Sequence, residues 1–165
     1  MEKVISIGKQ NFASLRENHY FFVDKSHFIK DWWENGDEIT LITRPRRFGK
    51  TLNMSMLDCF FSNKYAARGD LFEGLGVWKE EKYRELQGKY PVIFLSFAAV
   101  KADQLSEAKI QIKQQIARVY EENRYLLDGD LLSGNEKKAY NEVNLHMGDA
   151  EAAAALNNML SLIHI

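Results

Sequence analysis

The groups in this sequence best suited to chemistry are concentrated in one run, Thr43-Arg44-Pro45-Arg46-Arg47-Phe48-Gly49-Lys50-Thr51. A phosphate-binding loop reads G-x-x-x-x-G-K followed by Ser or Thr, and sits between a strand and a helix. Gly49, Lys50 and Thr51 match its second half, and Arg44 stands where the first glycine would be. Gly49 has no side chain, so backbone N–H groups can approach phosphate oxygens. A helix opening there turns its positive dipole end toward the same oxygens. The Lys50 ammonium would reach the β- and γ-phosphates, and the Thr51 hydroxyl would ligate Mg²⁺. Arg46 and Arg47 add charge and forked hydrogen-bond donors beside the loop. The chemistry to expect is the holding of a nucleoside triphosphate with Mg²⁺, with Arg44 and Pro45 making the turn.

Flanking elements must position that loop. Glu38–Thr43 (EITLIT) is β-branched and bounded by Gly36-Asp37 and Pro45, which predicts a buried strand. A helix is expected from Gly49 to about Ser62, with Leu52, Met56, Leu57, Phe60 and Phe61 inward. Upstream, a short helix is expected near Phe12–Arg16, then a brief aromatic strand ending at Val23. A helix carrying Phe28, Ile29, Trp32 and Trp33 follows, with Asp24 or Ser26 as cap and Gly36 closing it. Downstream, Gly69, Gly74 and Gly76 mark a loop-rich stretch, and Pro91–Phe97 (PVIFLSF) predicts a second strand of the doubly covered parallel type. Apolar residues three or four apart predict a helix over about Ala102–Leu127, a turn at Asp128–Gly134, and helices near Glu136–His146 and Asp149–Leu160. The alternation makes the expected fold class α/β.

Composition narrows the rest. A chain of 165 residues, 45% hydrophobic and 27% charged, suits one globular domain, and 12% aromatic content is too much apolar surface for a disordered chain. No apolar run approaches the about 18 residues of a membrane helix, and the N-terminus MEKVISIGKQ has no signal-peptide apolar region. A net charge of −1 speaks against a protein held to nucleic acid by global electrostatics. The lone Cys59 cannot close an internal disulfide, and with no basic activator nearby it reads as an inert packed thiol. His19, His27, His146 and His164 show no metal-ligand spacing. The expectation is a cytoplasmic domain with no membrane partner.

Other residues carry two readings each. Asp24 and Lys25 border the nucleotide base, or Asp24 caps the next helix and Lys25 is solvated. Trp32 and Trp33 are read as core and rim packing rather than a base-stacking platform. Lys79–Arg84 with Glu80, Glu81 and Glu85 reads as a solvated helical face.

RPRRFGKTLNMSML, preceded by YFFVDKSHFIKDWWENGDEITLIT, resembles the AAA-ATPase-like proteins of bacteria and archaea. The resemblance runs from about Ile5 to Phe97 and more loosely through the later helices. It is carried by Val23-Asp24-Lys25-Ser26, by the arginine-rich loop, and by Gly88-Lys89-Tyr90-Pro91-Val92-Ile93. In that family the arginine-rich loop replaces the glycine-opened form, so Arg44 ceases to be a departure. The resemblance implies a P-loop NTPase-like three-layer αβα core with parallel strands, here incomplete at the C-terminus. It also implies ATP and Mg²⁺ as cofactors and a PD-(D/E)XK nuclease-like domain following in the full-length protein. The nucleotide-binding residues expected are Arg46, Arg47, Phe48, Gly49, Lys50, Thr51 and Leu52, with Thr51 also on Mg²⁺.

A P-loop ATPase further needs a carboxylate at the end of an apolar strand to hold Mg²⁺ and position water. Asp128, Asp130 and Glu136 lie in a turn or at a helix start, with no apolar strand leading into them. In the resembled family that element follows the closing helices, which places it beyond Ile165, so this chain is expected to bind nucleotide weakly and hydrolyse it negligibly. Leu160–Ile165 (LSLIHI) matches one reading frame of a sequencing-library transposon end. The expected organisation is therefore the N-terminal part of an AAA-like domain over 1–159, with a non-native tail at 160–165. Within it, 1–36 is an aromatic lead-in, 37–62 holds the first strand, loop and helix, and 90–127 the second strand and helix. Two other classes stay open. The basic knot Arg44–Lys50 around Phe48 is able to grip phosphates of DNA or RNA, and a nucleotide-free interaction module could keep the loop as scaffold.

Overall fold

The computed structural model describes residues 4–45, 47–128 and 132–163. The chain forms two compact units, Met1–Val92 and Ile93–Ile165.

In the first unit, α1 spans Phe12–Glu17, α2 His27–Asn35, α3 Lys50–Phe61 and α4 Glu81–Arg84, with 3-10 turns between α3 and α4. Local chemistry sets these boundaries. The Asn11 side chain accepts from Ser14 N at the start of α1, and Gly36 closes α2 in the left-handed conformation. The core is aromatic: Phe12 stacks on Phe72 at 5.1 Å, and Phe60 meets Phe72 edge-on at 5.0 Å. Two side chains lock α1 in place. Phe12 N donates to Ser55 Oγ of α3 at 3.0 Å, and the Arg16 guanidinium donates to the Leu71 and Glu73 carbonyls, each at 2.7 Å. Trp32 is partly buried against the core. Trp33, 38% exposed, stacks on Phe61 at its rim.

In the second unit, α5 spans Leu105–Glu122, α6 Gly134–Glu142 and α7 Asp149–Ile163. Ile116 and Tyr120 of α5 pack with Tyr140 of α6 and with Ala155 and Met159 of α7. Tyr140 OH donates to the Tyr120 carbonyl at 2.6 Å, and Tyr120 OH to the Ala155 carbonyl at 2.7 Å. Part of the expected foreign tail, Leu160 to Ile163, continues α7. Among the described residues no helix is long and apolar enough to cross a membrane.

The expected α/β class, a three-layer αβα core with parallel strands, is corrected by this architecture: the described residues form no strand and no sheet. One isolated parallel bridge, Ser62 with Tyr90, is all the pairing they show. A β-branched run fits a pleated, half-buried surface but cannot supply the partner that makes it a strand. Residues 38–43 find none, and Ile39 and Leu41 stand 88% and 83% exposed. The apolar run at 91–97 is divided between the two units. Val92 packs on the first core, while Ile93 and Leu95 pack on the second. Near Val23 the extended backbone pairs, among the described residues, only through Phe21 N to Val4 O at 2.9 Å, and they show no ladder there.

Candidate functional site

The arginine-rich loop leads directly into α3, whose buried Asn53 and Met56 hold its first two turns to the core and whose Phe60 holds its last. Gly49 stands at the N-cap with φ 77° and ψ 19°, and no side chain caps the helix. The first amide N–H groups of a helix have no carbonyl partner within it; here they belong to Lys50, Thr51 and Leu52. A left-handed residue followed by a right-handed one turns successive N–H groups into a single concavity, which suits an anion. Arg47 is also left-handed, at φ 68°. That conformation costs a residue with a side chain about 1 kcal/mol, and strain of this kind gathers at ligand loops.

These residues line a cavity of about 730 Å³, within the range of small-molecule sites. It is lined by Arg47, Gly49, Lys50, Thr51 and Leu52 together with the turn residues Ile7, Gly8, Lys9 and Gln10. That turn stands there because it runs into α1, which Ser55 ties to α3. Among the described residues, none that lines it is a carboxylate.

The expected site residues fall out as follows. Gly49, Lys50, Thr51, Leu52 and Arg47 line one cavity. Leu52 also packs against the core, and Phe48 is 59% exposed. Arg46 lies outside the described residues. The Lys50 ammonium donates to the Arg44 carbonyl, folding across the loop. Among the described residues no group of three or more His, Cys, Asp or Glu is placed to hold a metal ion.

Asp24 and Lys25 separate in role. The Asp24 carboxylate accepts from Ser26 N at 2.8 Å and from Gly76 N at 2.7 Å. Burial opposes its charge, but these hydrogen bonds outweigh that and hold its pKa below the usual value. Asp24 is thus committed to the local fold. Lys25 reaches the other way, and a Cβ built on Gly49 would lie 3.9 Å from Lys25 Nζ. Sequence reasoning offers Lys25 a place beside the nucleotide base as one of two readings but does not foresee its approach to Gly49 or the Ile7–Gln10 side of the cavity, because tertiary packing makes both and leaves no local pattern.

An uncapped helix start, a lysine and a threonine in its first turn, and a cavity with no carboxylate among its described lining residues make an arrangement chemically suited to an anion. The chain belongs to the AAA-ATPase-like family, described as predicted AAA-ATPases, whose model matches residues 6–163. A protein of Azotobacter chroococcum mcd 1, described as an uncharacterized protein in the vnfD 5′ region, is 36% identical over 96 residues. That stretch is 58% of this chain and 17% of the relative. No solved structure matches the chain.

Proposed function

We propose that this chain binds ATP with Mg²⁺ at the start of α3. The observation that carries the reading is the arrangement of Gly49, Lys50 and Thr51 in the cavity they line together with Ile7–Gln10. Backbone N–H groups of the first helical turn take the phosphate oxygens. Lys50 adds a point charge with three donors, of which the Arg44 carbonyl uses one. Arg46 and Arg47 assist at the loop's edge. Mg²⁺ enters with the phosphates, and Thr51 offers it one hydroxyl oxygen.

Hydrolysis needs a carboxylate to position water, and among the described residues none lines this cavity. In this reading that group comes from a further part of a longer protein, in which a PD-(D/E)XK nuclease-like domain follows. The chain by itself then turns ATP over negligibly.

The test is the melting temperature of the chain with ATP and MgCl₂, with ADP, and with an oligonucleotide. A ligand that binds the native state must stabilise it, so a rise with ATP and MgCl₂ is expected. A rise with the oligonucleotide that ATP does not reverse would favour nucleic acid as the ligand. No rise with any of them would favour a nucleotide-free module.

A further inference from the structure

We propose that Lys25 is a second lysine ligand of the bound polyphosphate, acting beside Lys50. This deepens the ATP reading and rests on it. The first support is position: Lys25 Nζ would stand 3.9 Å from a Cβ on Gly49, the residue that opens α3. Lys25 does not itself line the cavity, but its ammonium stands beside Gly49, which does.

The second support is that the backbone around Lys25 is held on both sides. Asp24 is fixed by the Ser26 and Gly76 amides. Ser26 is fully buried, and its hydroxyl accepts from Val77 N at 3.0 Å. The Lys25 carbonyl itself accepts from Phe28 N at 2.9 Å at the start of α2. A side chain launched from such a frame reaches the loop without ordering new backbone, which lowers the entropic cost of holding a ligand.

The third support is charge. In this unit Lys30 pairs with Glu80, Arg68 with Glu17 and Asp70, and Lys82 with Glu34, while among the described residues Lys64, Lys79, Lys89 and the cavity-lining Lys9 are in no ion pair. Among the described residues, Lys25, Arg47 and Lys50 have no ion pair with any carboxylate. Asp24, the neighbouring acid, has each of its oxygens engaged by a backbone amide. Cations gathered without counter-charge raise the local potential and favour a multiply charged anion. A triphosphate spans several ammonium groups, whereas a single phosphate is satisfied by Lys50 and the helix start.

The test is calorimetric titration of the whole chain with ATP and with inorganic tripolyphosphate, at two salt concentrations. The proteins compared are wild type, Lys25→Gln, Lys25→Arg and Lys50→Gln, with each variant's folding checked by its melting temperature. Lys25→Gln is expected to melt as wild type does and to bind both ligands about three- to tenfold more weakly. Its salt dependence should be shallower, since one screened charge is gone, and Lys25→Arg should recover most of the affinity. Lys25→Gln binding ATP as tightly as wild type, with Lys50→Gln impaired, would overturn the role of Lys25 alone. Wild type binding neither ligand would overturn the ATP reading and this inference together.

Discussion

The side-chain ammonium of Lys50 donates to the main-chain carbonyl of Arg44, six residues earlier. The lysine therefore closes the loop that leads into its own helix, and the charge stays beside the uncapped amides of α3. An ammonium with three donors can keep that bond and still offer the others to phosphate. The loop and helix start are pre-assembled around one charged group, which limits what a ligand must reorganise.

Two left-handed glycines should respond very differently to a methyl group. At Gly49 (φ 77°) the nearest atom to a built Cβ is 3.9 Å away, so Gly49→Ala meets the backbone penalty of about 1 kcal/mol alone. At Gly88 (φ 70°) the Cβ would stand 2.3 Å from Ala66 Cα. Gly88 N is also bonded to the Phe60 carbonyl at 2.8 Å, so the backbone cannot simply withdraw. Gly88→Ala should cost about 2–4 kcal/mol. Denaturant unfolding compares the two, and equal losses would contradict this packing.

Cys59 is 1% exposed. Burial, aided by the Asp58 carboxylate, pushes its thiol from 9.0 up to about 11. The folded-state pKa lies above the unfolded one, so the contribution to stability is fully present below pH 9 and is lost as pH rises toward 11. A thiol reagent at pH 8 should label Cys59 at the rate of unfolding. Rapid labelling of the native chain would show that the thiol is not packed as described.

Asp149 in the first turn of α7 bonds Lys109 at 2.6 Å and Lys113 at 2.8 Å on α5. These ammonium groups lower its pKa from 3.8 to about 2. The folded-state pKa is depressed, so the stabilisation is present above the unfolded value and is lost as pH falls from 3.8 toward 2. All three side chains are partly exposed, so salt should weaken the effect. Helicity followed by circular dichroism checks this: Asp149→Asn should remove that part of the acid transition and leave the rest.

Helix positions were largely legible because caps and periodicity are local. Ser26, Gly36 and Gly49 all stand at the ends the sequence suggests. The longest helix was overextended: α5 ends at Glu122, and the 3-10 turn Arg124–Leu127 follows. The start of α6 was placed late although its signal was present. Ser133 and Glu136 form a reciprocal capping box. The strands were misjudged at Glu38–Thr43 and Pro91–Phe97, because apolar β-branched runs report a preference and a ladder requires a partner. In the site, the loop residues could be read from spacing. The Ile7–Gln10 side of the cavity could not, and Lys25 was readable only as one of two alternatives, since its approach to Gly49 depends on how the elements around it pack.

The measurement that bears most directly on the central claim is calorimetric titration of ATP with MgCl₂ into the chain and into Lys50→Ala. The account predicts saturable binding by the wild type and at least about a tenfold loss in the variant, since a charge-assisted contact contributes on that scale. Equal affinity in the two proteins, or no binding by a folded wild type, would contradict it.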